Sequence, residues 1–389
     1  MTGTDSFEVS STTVNRQWVV ADRPIDRAVR ETDFRLVEAA IAMPGPGEFL
    51  VRTLYLSLAP VMRQYMIDGA NIEKPLAIGD VMRGRGVGQV VVSNHPDYRA
   101  GDIVHGKLGW QEYSVSDGSP YYMMYKVRQR LVPVSTAIGV LGITGFTSYL
   151  GLVDIGRPRA GETVLVSGAA GGVGSNLGWI AHNLGCRVVG IAGTSAKCWQ
   201  LTQKLGYDAA INYRIDDVPA KIRELCPGGV DIFFDNVGGE ILDHALGALN
   251  RYGRVICCGS IAGYLKGPGQ SYRMRNWDAI GKCNATMRGF FIYDLAEHFP
   301  RAEIQLAQWI VDGRLTYLED VLEGLEQMPR ALIRLYEGRN TGKQIVRVHP
   351  LPRGVGEGWG EGRVRALSSP SPHCGSAYRA ASRPARTPA

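Results

Sequence analysis

The chain has 389 residues, 45% of them hydrophobic and 21% charged, which are ordinary globular values. That length exceeds what one core usually serves, so two domains are expected. The net charge of +6 is uneven, because residues 351–389 hold six Arg and two Glu with no Lys or Asp, and the remaining body is too weakly basic to suggest nucleic acid.

No apolar run approaches the roughly 20 residues that cross a bilayer. The opening MTGTDSFEVSSTTVN carries Asp5 and Glu8 but no early base and no long apolar core. It does not read as a signal peptide, and a cytoplasmic location is the expectation. Seven cysteines, at 186, 198, 226, 257, 258, 283 and 374, include no C-x-x-C pair, and the histidines show no H-E-x-x-H spacing. Neither a disulfide framework nor a metal site is expected.

In chain order, residues 16 to about 135 show short β-like runs broken by Gly and Pro: FLVRTLYLSL, GVGQVVVS, GDIVHGKL and QEYSV. These predict a mostly β domain with many turns. After FLVRTLYLSL comes APVMRQYM, where Arg63 sits among Val61, Met62 and Met66 with a phenol at Tyr65. Arg63 reads as either a surface charge on a helix or a placed anion binder. Trp110, Tyr113 and the YYMMY cluster at 121–125 suggest a wide apolar cleft, or packing between domains.

From Thr163 the pattern becomes βαβ. TVLVS, CRVVGIA, AAINY, VDIFFDNVG and GRVICCGS read as five buried parallel strands. Helices are predicted from Val173, over 196–205, from a cap at Asp216 and Asp217 towards Cys226, and through Leu249. Further helices are predicted over 302–312 and 321–336, and KQIVRVHP reads as a last strand returning to the first domain. The fold class is α/β, with a doubly wound sheet beside a β-rich domain. The tail from 351 is rich in Gly, Pro, Ser and Ala and is expected to be disordered.

Ala169-Ala170-Gly171-Gly172-Val173-Gly174 is A-x-G-x-x-G, between a strand and an amphipathic helix. Gly171 would let backbone approach a pyrophosphate and Gly174 would let the helix pack closely, with free N–H groups facing the anion. The second strand ends in Gly193-Thr194-Ser195-Ala196-Lys197, without the carboxylate that usually accepts from NAD ribose. Small hydroxyls beside a lysine suit a 2′-phosphate, and Tyr213-Arg214 could close over it. NADP(H) is the expected cofactor.

These segments, with PGPGEFLVRTLYLSL, GITGFTSYLGL, FFDNVGGE, CGSIAGY, MRGF and GRNTGKQIVRV, resemble the zinc-free medium-chain dehydrogenase/reductases, near leukotriene B4 dehydrogenase, prostaglandin reductase and curcumin reductase. The resemblance runs from Asn15 to about Val348. It implies a GroES-like catalytic domain over 16–140, a Rossmann domain over 141–310 and a C-terminal return over 311–350, with disordered ends at 1–15 and 351–389. It also implies homodimers, and reduction by NADPH of a carbon–carbon double bond conjugated to a carbonyl. A quinone reductase, or an NADPH-binding sensor with weakened catalysis, are the alternatives.

By this resemblance, Lys197 and Tyr213 would hold the 2′-phosphate and Thr144 would lie near the nicotinamide amide. Asn236, Cys258, Gly259, Ser260 and Tyr264 would line the nicotinamide and its ribose, and Phe290 and Asn340 would make further cofactor contacts. Family members carry D-P-Y-M-R, whose tyrosine donates to the substrate oxygen; here the stretch is Ala59-Pro60-Val61-Met62-Arg63. Another substrate-facing tyrosine of some members is replaced near Lys282 or Cys283. Arg63, Tyr65 and Tyr264 are the catalytic candidates. Tyr65 would replace the missing phenol if residues 61 and 65 lay one helical turn apart, and is otherwise a tyrosine of the cleft rim.

Overall fold

The computed structural model describes residues 14–67, 73–119, 123–128, 132–264 and 272–351. Nearly all of the two ends expected to be disordered, together with Tyr121 and Tyr122, lies outside these residues.

The strands of the first part are β1 (Val14–Val20), β2 (Phe34–Ala40), β3 (Phe49–Ser57), β4 (Arg85–Ser93), β5 (Ile103–Lys107), β6 (Tyr113–Ser116) and β7 (Tyr125–Lys126). Those of the second part are β8 (Thr163–Val166), β9 (Arg187–Ala192), β10 (Ala209–Asn212), β11 (Val230–Asp235), β12 (Leu249–Cys257) and β13 (Thr286–Gly289). The chain finishes with β14 (Glu319–Glu323) and β15 (Lys343–Arg347). The helices are α1 (Ile143–Leu150), α2 (Gly174–Asn183), α3 (Ser195–Lys204), α4 (Val218–Leu225), α5 (Gly239–Leu246), α6 (Ile261–Tyr264), α7 (Ala279–Lys282), α8 (Phe299–Val311) and α9 (Met328–Tyr336).

Strands β8 to β13 form one six-stranded sheet in the order β10-β9-β8-β11-β12-β13, with every pair parallel. TVLV, RVVGIA and VDIFFD are apolar because helices cover both faces of these strands. Strand order reverses between β8 and β11, so their carboxyl ends border the crevice where such sheets take ligands. The second sheet runs β14-β15-β3-β4-β5-β7, with β6 paired to β3, and β1 and β2 form a separate ribbon.

β3 is buried at every position but Arg52, as a central strand must be. β15 lies antiparallel to it, and Leu325, Met328, Ala331 and Leu332 pack with Val20, Phe34 and Phe49 in one core. The C-terminal return therefore completes the β-rich domain. Among the described residues no helix is long and apolar enough to cross a membrane.

Several elements differ from the sequence pattern. The helix expected over 321–336 begins only at Met328, because residues 319–323 pair with β15 as β14 and Gly324 turns the chain at φ 91°. The helix expected through Leu249 stops at Leu246, and Leu249 instead starts β12. Thr286–Gly289 form a sixth parallel strand whose exposed residues gave no apolar signal. Trp110 and Tyr113 do not line the cleft. Trp110 is wholly buried with its ring 5.0 Å from Phe34, and Tyr113 is buried against His349.

Candidate cofactor and substrate cleft

The glycine turn after β8 is shaped by backbone proximity. A side chain at Gly174 would place its Cβ 2.4 Å from Gly168 O and 2.6 Å from Ala169 Cα, so only glycine lets α2 start there. Gly171 faces away from packing, its nearest neighbour being Gly168 O at 3.2 Å from an added Cβ. Ala170 is buried and its carbonyl accepts from Gly342 N, while the Val173 carbonyl accepts from Ser148 Oγ. The turn is thus pinned from α1 and from the loop before β15. Thr144 lies beside it, its methyl 3.4 Å from a Cβ built on Gly172, and its hydroxyl donates to Gly139 O.

A cavity of about 650 Å³ opens at the end of β9, lined by Thr194, Ala196, Lys197, Gln200, Arg214, Arg339 and Thr341 among others. Thr194 caps α3 by accepting from Lys197 N at 3.2 Å, and Ser195 Oγ accepts from Asn212 Nδ2. Lys197 Nζ donates to Gly338 O at 2.7 Å. Burial, then the charge of Arg214, hold its pKa below the usual lysine value. The Tyr213 ring covers Gly193, where a Cβ would lie 2.9 Å from it, and Arg214 lies 6.0 Å from that ring. Three cations from three elements thus surround a volume with hydroxyl donors, as a phosphate monoester requires. Arg339 went unnoticed in the sequence because it arrives from the loop after α9, in a pattern that looks like a solvated surface.

Across the crevice, the end of β11 is organised by Asp235. Its buried carboxylate accepts from Ser167 Oγ at 2.6 Å and from the N–H groups of Val237 and Gly238 at 3.0 Å. Asn236 is held by two bonds with Ser167, and Cys258 and Gly259 donate their N–H groups to Asp235 O. Burial first, with Asp235 adding, pushes the Cys258 thiol up to about 12, so it stays a neutral thiol. Ser260 O accepts from Tyr264 N, closing α6 as a single turn. Phe290 meets Phe234 over Gly151, and Asn340 is buried with its amide on Gly342 O. Lys282 is exposed on Asp278 and Cys283 donates to Leu249 O, so these two stand on the outer side of the sheet.

Lys343 is the residue that sequence reading missed most clearly. It is 6% exposed and donates to Leu58 O at 2.7 Å, and its side chain lies 3.2 Å from a Cβ built on Gly172. Burial pushes its pKa down to about 8. Its signal was a lysine inside the otherwise buried strand pattern KQIVR. It joins the sheet of the β-rich domain to the glycine turn.

The stretch after Ala59 forms a 3₁₀ helix, Pro60–Met66. With three residues per turn, residues 61 and 65 diverge by about 120° rather than stacking, so the expected one-turn alignment of Val61 and Tyr65 does not occur. Tyr336 fastens the turn, accepting from Arg63 N at 2.9 Å and donating to Pro60 O at 3.0 Å. Arg63 is 3% exposed. Its guanidinium donates to Tyr264 O at 2.7 Å, Pro24 O at 2.8 Å and Arg27 O at 3.3 Å. Arg63 is therefore not a surface charge; it bridges the 3₁₀ turn to α6 of the other domain.

Tyr65 sits beside Arg83, whose guanidinium is 5.6 Å from its ring. Burial, then Glu73, raise its pKa above the usual tyrosine value, so the phenol stays protonated. No described residue accepts its proton. Burial likewise raises the Tyr264 phenol. Among the described residues no group of three or more His, Cys, Asp or Glu could hold a metal ion.

A doubly wound sheet with a glycine turn at its switch point, a cationic pocket with hydroxyl donors and a β-rich domain covering the crevice defines a dinucleotide-dependent oxidoreductase. Two family models match, one described as the N-terminal domain of oxidoreductase over residues 16–124 and one as zinc-binding dehydrogenase over 172–309. The NADPH-dependent curcumin reductase of Escherichia coli is 40% identical over 86% of this chain and 97% of that protein. A 2-alkenal reductase (NADP(+)-dependent) of Nicotiana tabacum is 37% identical over 86% of this chain and 98% of its own. The crystal structure of CurA from Vibrio vulnificus in complex with NADPH superposes with a TM-score of 0.79 at 36% identity, covering 86% of this chain and all of that one. The chain belongs to the zinc-free medium-chain dehydrogenase/reductases of this reductase group.

Proposed function

We propose that the protein reduces the carbon–carbon double bond of α,β-unsaturated ketones or aldehydes with NADPH. The observation that carries this is the crevice at the strand-order reversal. Lys197, Arg214 and Arg339 line a cavity at its outer end, and Lys343, anchored on Leu58 O just before the 3₁₀ turn of Tyr65, reaches within 3.2 Å of a Cβ built on Gly172 in the glycine loop. The relatives named for NADPH-dependent reductions support the same reading. Bound NADPH would supply the hydride. The residues that would hold it are Lys197, Tyr213 and Arg214 at the 2′-phosphate, the N–H groups of Ala170 to Gly174 with Lys343 at the pyrophosphate, and Thr144, Asn236, Cys258 to Ser260 and Tyr264 further in.

Reduction at the β-carbon leaves negative charge on the carbonyl oxygen, and the protein's task is to place a donor there. Tyr65 is that donor in this reading, being protonated and without an internal acceptor among the described residues. Arg63 acts as a positioning residue, holding the Tyr65 turn against Tyr264. The exposed edge of β13, with Met287 and Arg288 outward, leaves backbone groups for a second copy to pair with, which supports a homodimer.

The test is NADPH consumption against a panel of enals, enones and quinones, with NADH alongside. Turnover of enals and enones, faster with NADPH, is expected. Turnover of quinones alone would replace the reading with a quinone reductase. Tight NADPH binding without turnover on any of them would replace it with a sensor.

A further inference from the structure

The segment that follows β13 leaves the parallel sheet at its carboxyl edge, the side on which such sheets take ligands. Phe290 there meets Phe234 over Gly151, and Tyr293 packs with Phe290 and Cys258 against one apolar core. Tyr293 also meets the other domain. The Arg85 guanidinium, from β4, lies 5.0 Å from its ring and hydrogen-bonds its hydroxyl. Strand register puts Arg85 on the same face of the β-rich sheet as His105 and Lys343. His105 is buried with its ring stacked on Tyr125, and Lys343 reaches the glycine turn, so this face closes the crevice. Tyr293 and Arg85 therefore meet inside it.

Arg85 is fixed by donating from Nη2 to Met123 Sδ at 2.8 Å. Glu73, the carboxylate of the cluster, is shared between Lys107 at 2.9 Å and Arg83 at 3.6 Å, and Arg83 lies over the Tyr65 ring. Two phenols, one from each domain, thus converge on Arg85 and Glu73, and both charges act on each of them. Tyr65 and Tyr293 are half-buried, and no described residue accepts from either hydroxyl.

Burial raises both phenols above the usual tyrosine value, but their neighbours then pull in opposite directions. At Tyr65 the next influence is Glu73, which disfavours the phenolate. At Tyr293 it is Arg85, whose charge and hydrogen bond favour the phenolate. Tyr65 is therefore suited to donating a hydrogen bond while keeping its proton, and Tyr293 to giving its proton up.

Addition of hydride at the β-carbon sends the electron pair of the double bond towards the carbonyl oxygen, and the α-carbon must then gain a proton. We propose that Tyr293 is the acid that supplies this proton, with Arg85 as its positioning residue. The Tyr293 O–H bond breaks, the enolate electron pair forms the new C–H bond at the α-carbon, and the carbonyl is restored. The phenolate left behind keeps its hydrogen bond to Arg85 and takes a proton from water as product leaves. Delivery from a fixed side chain also sets the configuration at that carbon. This rests on the reductase reading above and adds the second half of the reaction to it.

The experiment reduces an α-methyl enone in heavy water with the full chain and NADPH. The wild type should place deuterium at the α-carbon in a single configuration. Tyr293→Phe should lower kcat by on the order of a hundredfold and yield both configurations in near-equal amounts, with NADPH affinity and melting temperature kept. Arg85→Met should erode the selectivity in the same direction, whereas Tyr65→Phe should slow the reaction and keep the configuration. Selectivity retained in Tyr293→Phe, at whatever rate, overturns the proposal, as does an unselective wild type. If no enone is reduced, exchange of the α-hydrogens of the saturated ketone with heavy water, on the NADP⁺ complex, decides the matter. Exchange that Tyr293→Phe abolishes keeps the acid and removes the reductase reading. Absence of exchange overturns the acid as well.

Discussion

The two ends of the crevice hold cations in opposite ways. At the outer end, Lys197, Arg214 and Arg339 stand around an open cavity, and Arg339 already pairs with Glu337. At the inner end, Arg63, Arg85 and Lys343 are set among carbonyls, sulfur and aromatic rings, without a carboxylate partner among the described residues. Charges in water gain little from any one contact, whereas desolvated ones depend on each. The outer end can thus be tuned residue by residue, while the inner end stands or falls with its geometry.

The comparison breaks first at the turn that both ends share. Gly174→Val would drive a branched side chain into Gly168 and Ala169, and loss of measurable NADPH binding with a lowered melting temperature is expected. Retained binding in a fluorescence titration would show that the turn relaxes. At the inner end, Tyr65→Phe should lower kcat on a reactive enal by on the order of a hundredfold, with NADPH affinity kept. Unchanged turnover would remove Tyr65 from the chemistry.

At the outer end, replacing both Lys197 and Arg214 by Ala should weaken NADPH by about tenfold to a hundredfold and leave NADH nearly untouched. An equal loss for the two cofactors would mean that these residues do not meet the 2′-phosphate. Arg63→Met should lower stability by about 1–3 kcal/mol in urea unfolding, by stripping partners from three carbonyls. A midpoint like that of the wild type would show that the bridge adds nothing.

The smallest effect is on pH. Lys343 falls to about 8 when folded, from an ordinary 10.5. Between those values the unfolded chain binds more protons, so the free protein gains stability as pH rises from about 8 towards 10.5. NADPH binding, which benefits from a charged Lys343, should weaken over the same range. Lys343→Met should flatten both curves, and parallel curves in the variant would assign the dependence elsewhere.

The outer end was legible in the sequence because it is local. Gly171, Gly174, Thr194, Lys197 and Tyr213 lie on successive turns at the carboxyl ends of adjacent strands, which apolar runs locate. The inner end was not, because register assembles it. Arg85, His105 and Lys343 come from three strands, and only the pairing puts them on one face of the sheet. His105 and Lys343 did leave a trace, a polar residue in a strand otherwise largely buried. The two missed strands share one physical cause: β13 and β14 are exposed or half-buried strands held by partners rather than by apolar pattern, so periodicity could not find them. Val61 and Tyr65 failed as a stacked pair because helix type, not position, decides which residues align.

The C-terminal return also orders events during synthesis. β6 covers the first half of the β3 edge early, but Tyr55 to Ser57 wait for β15. Lys343 and its acceptor at Leu58 are 285 residues apart. At about 5–20 residues per second, a ribosome needs roughly 15–60 s to bridge that distance. Late in that interval the parallel sheet, complete at β13, can already fold, while a bare strand edge beside the future active site needs shielding from other nascent chains throughout.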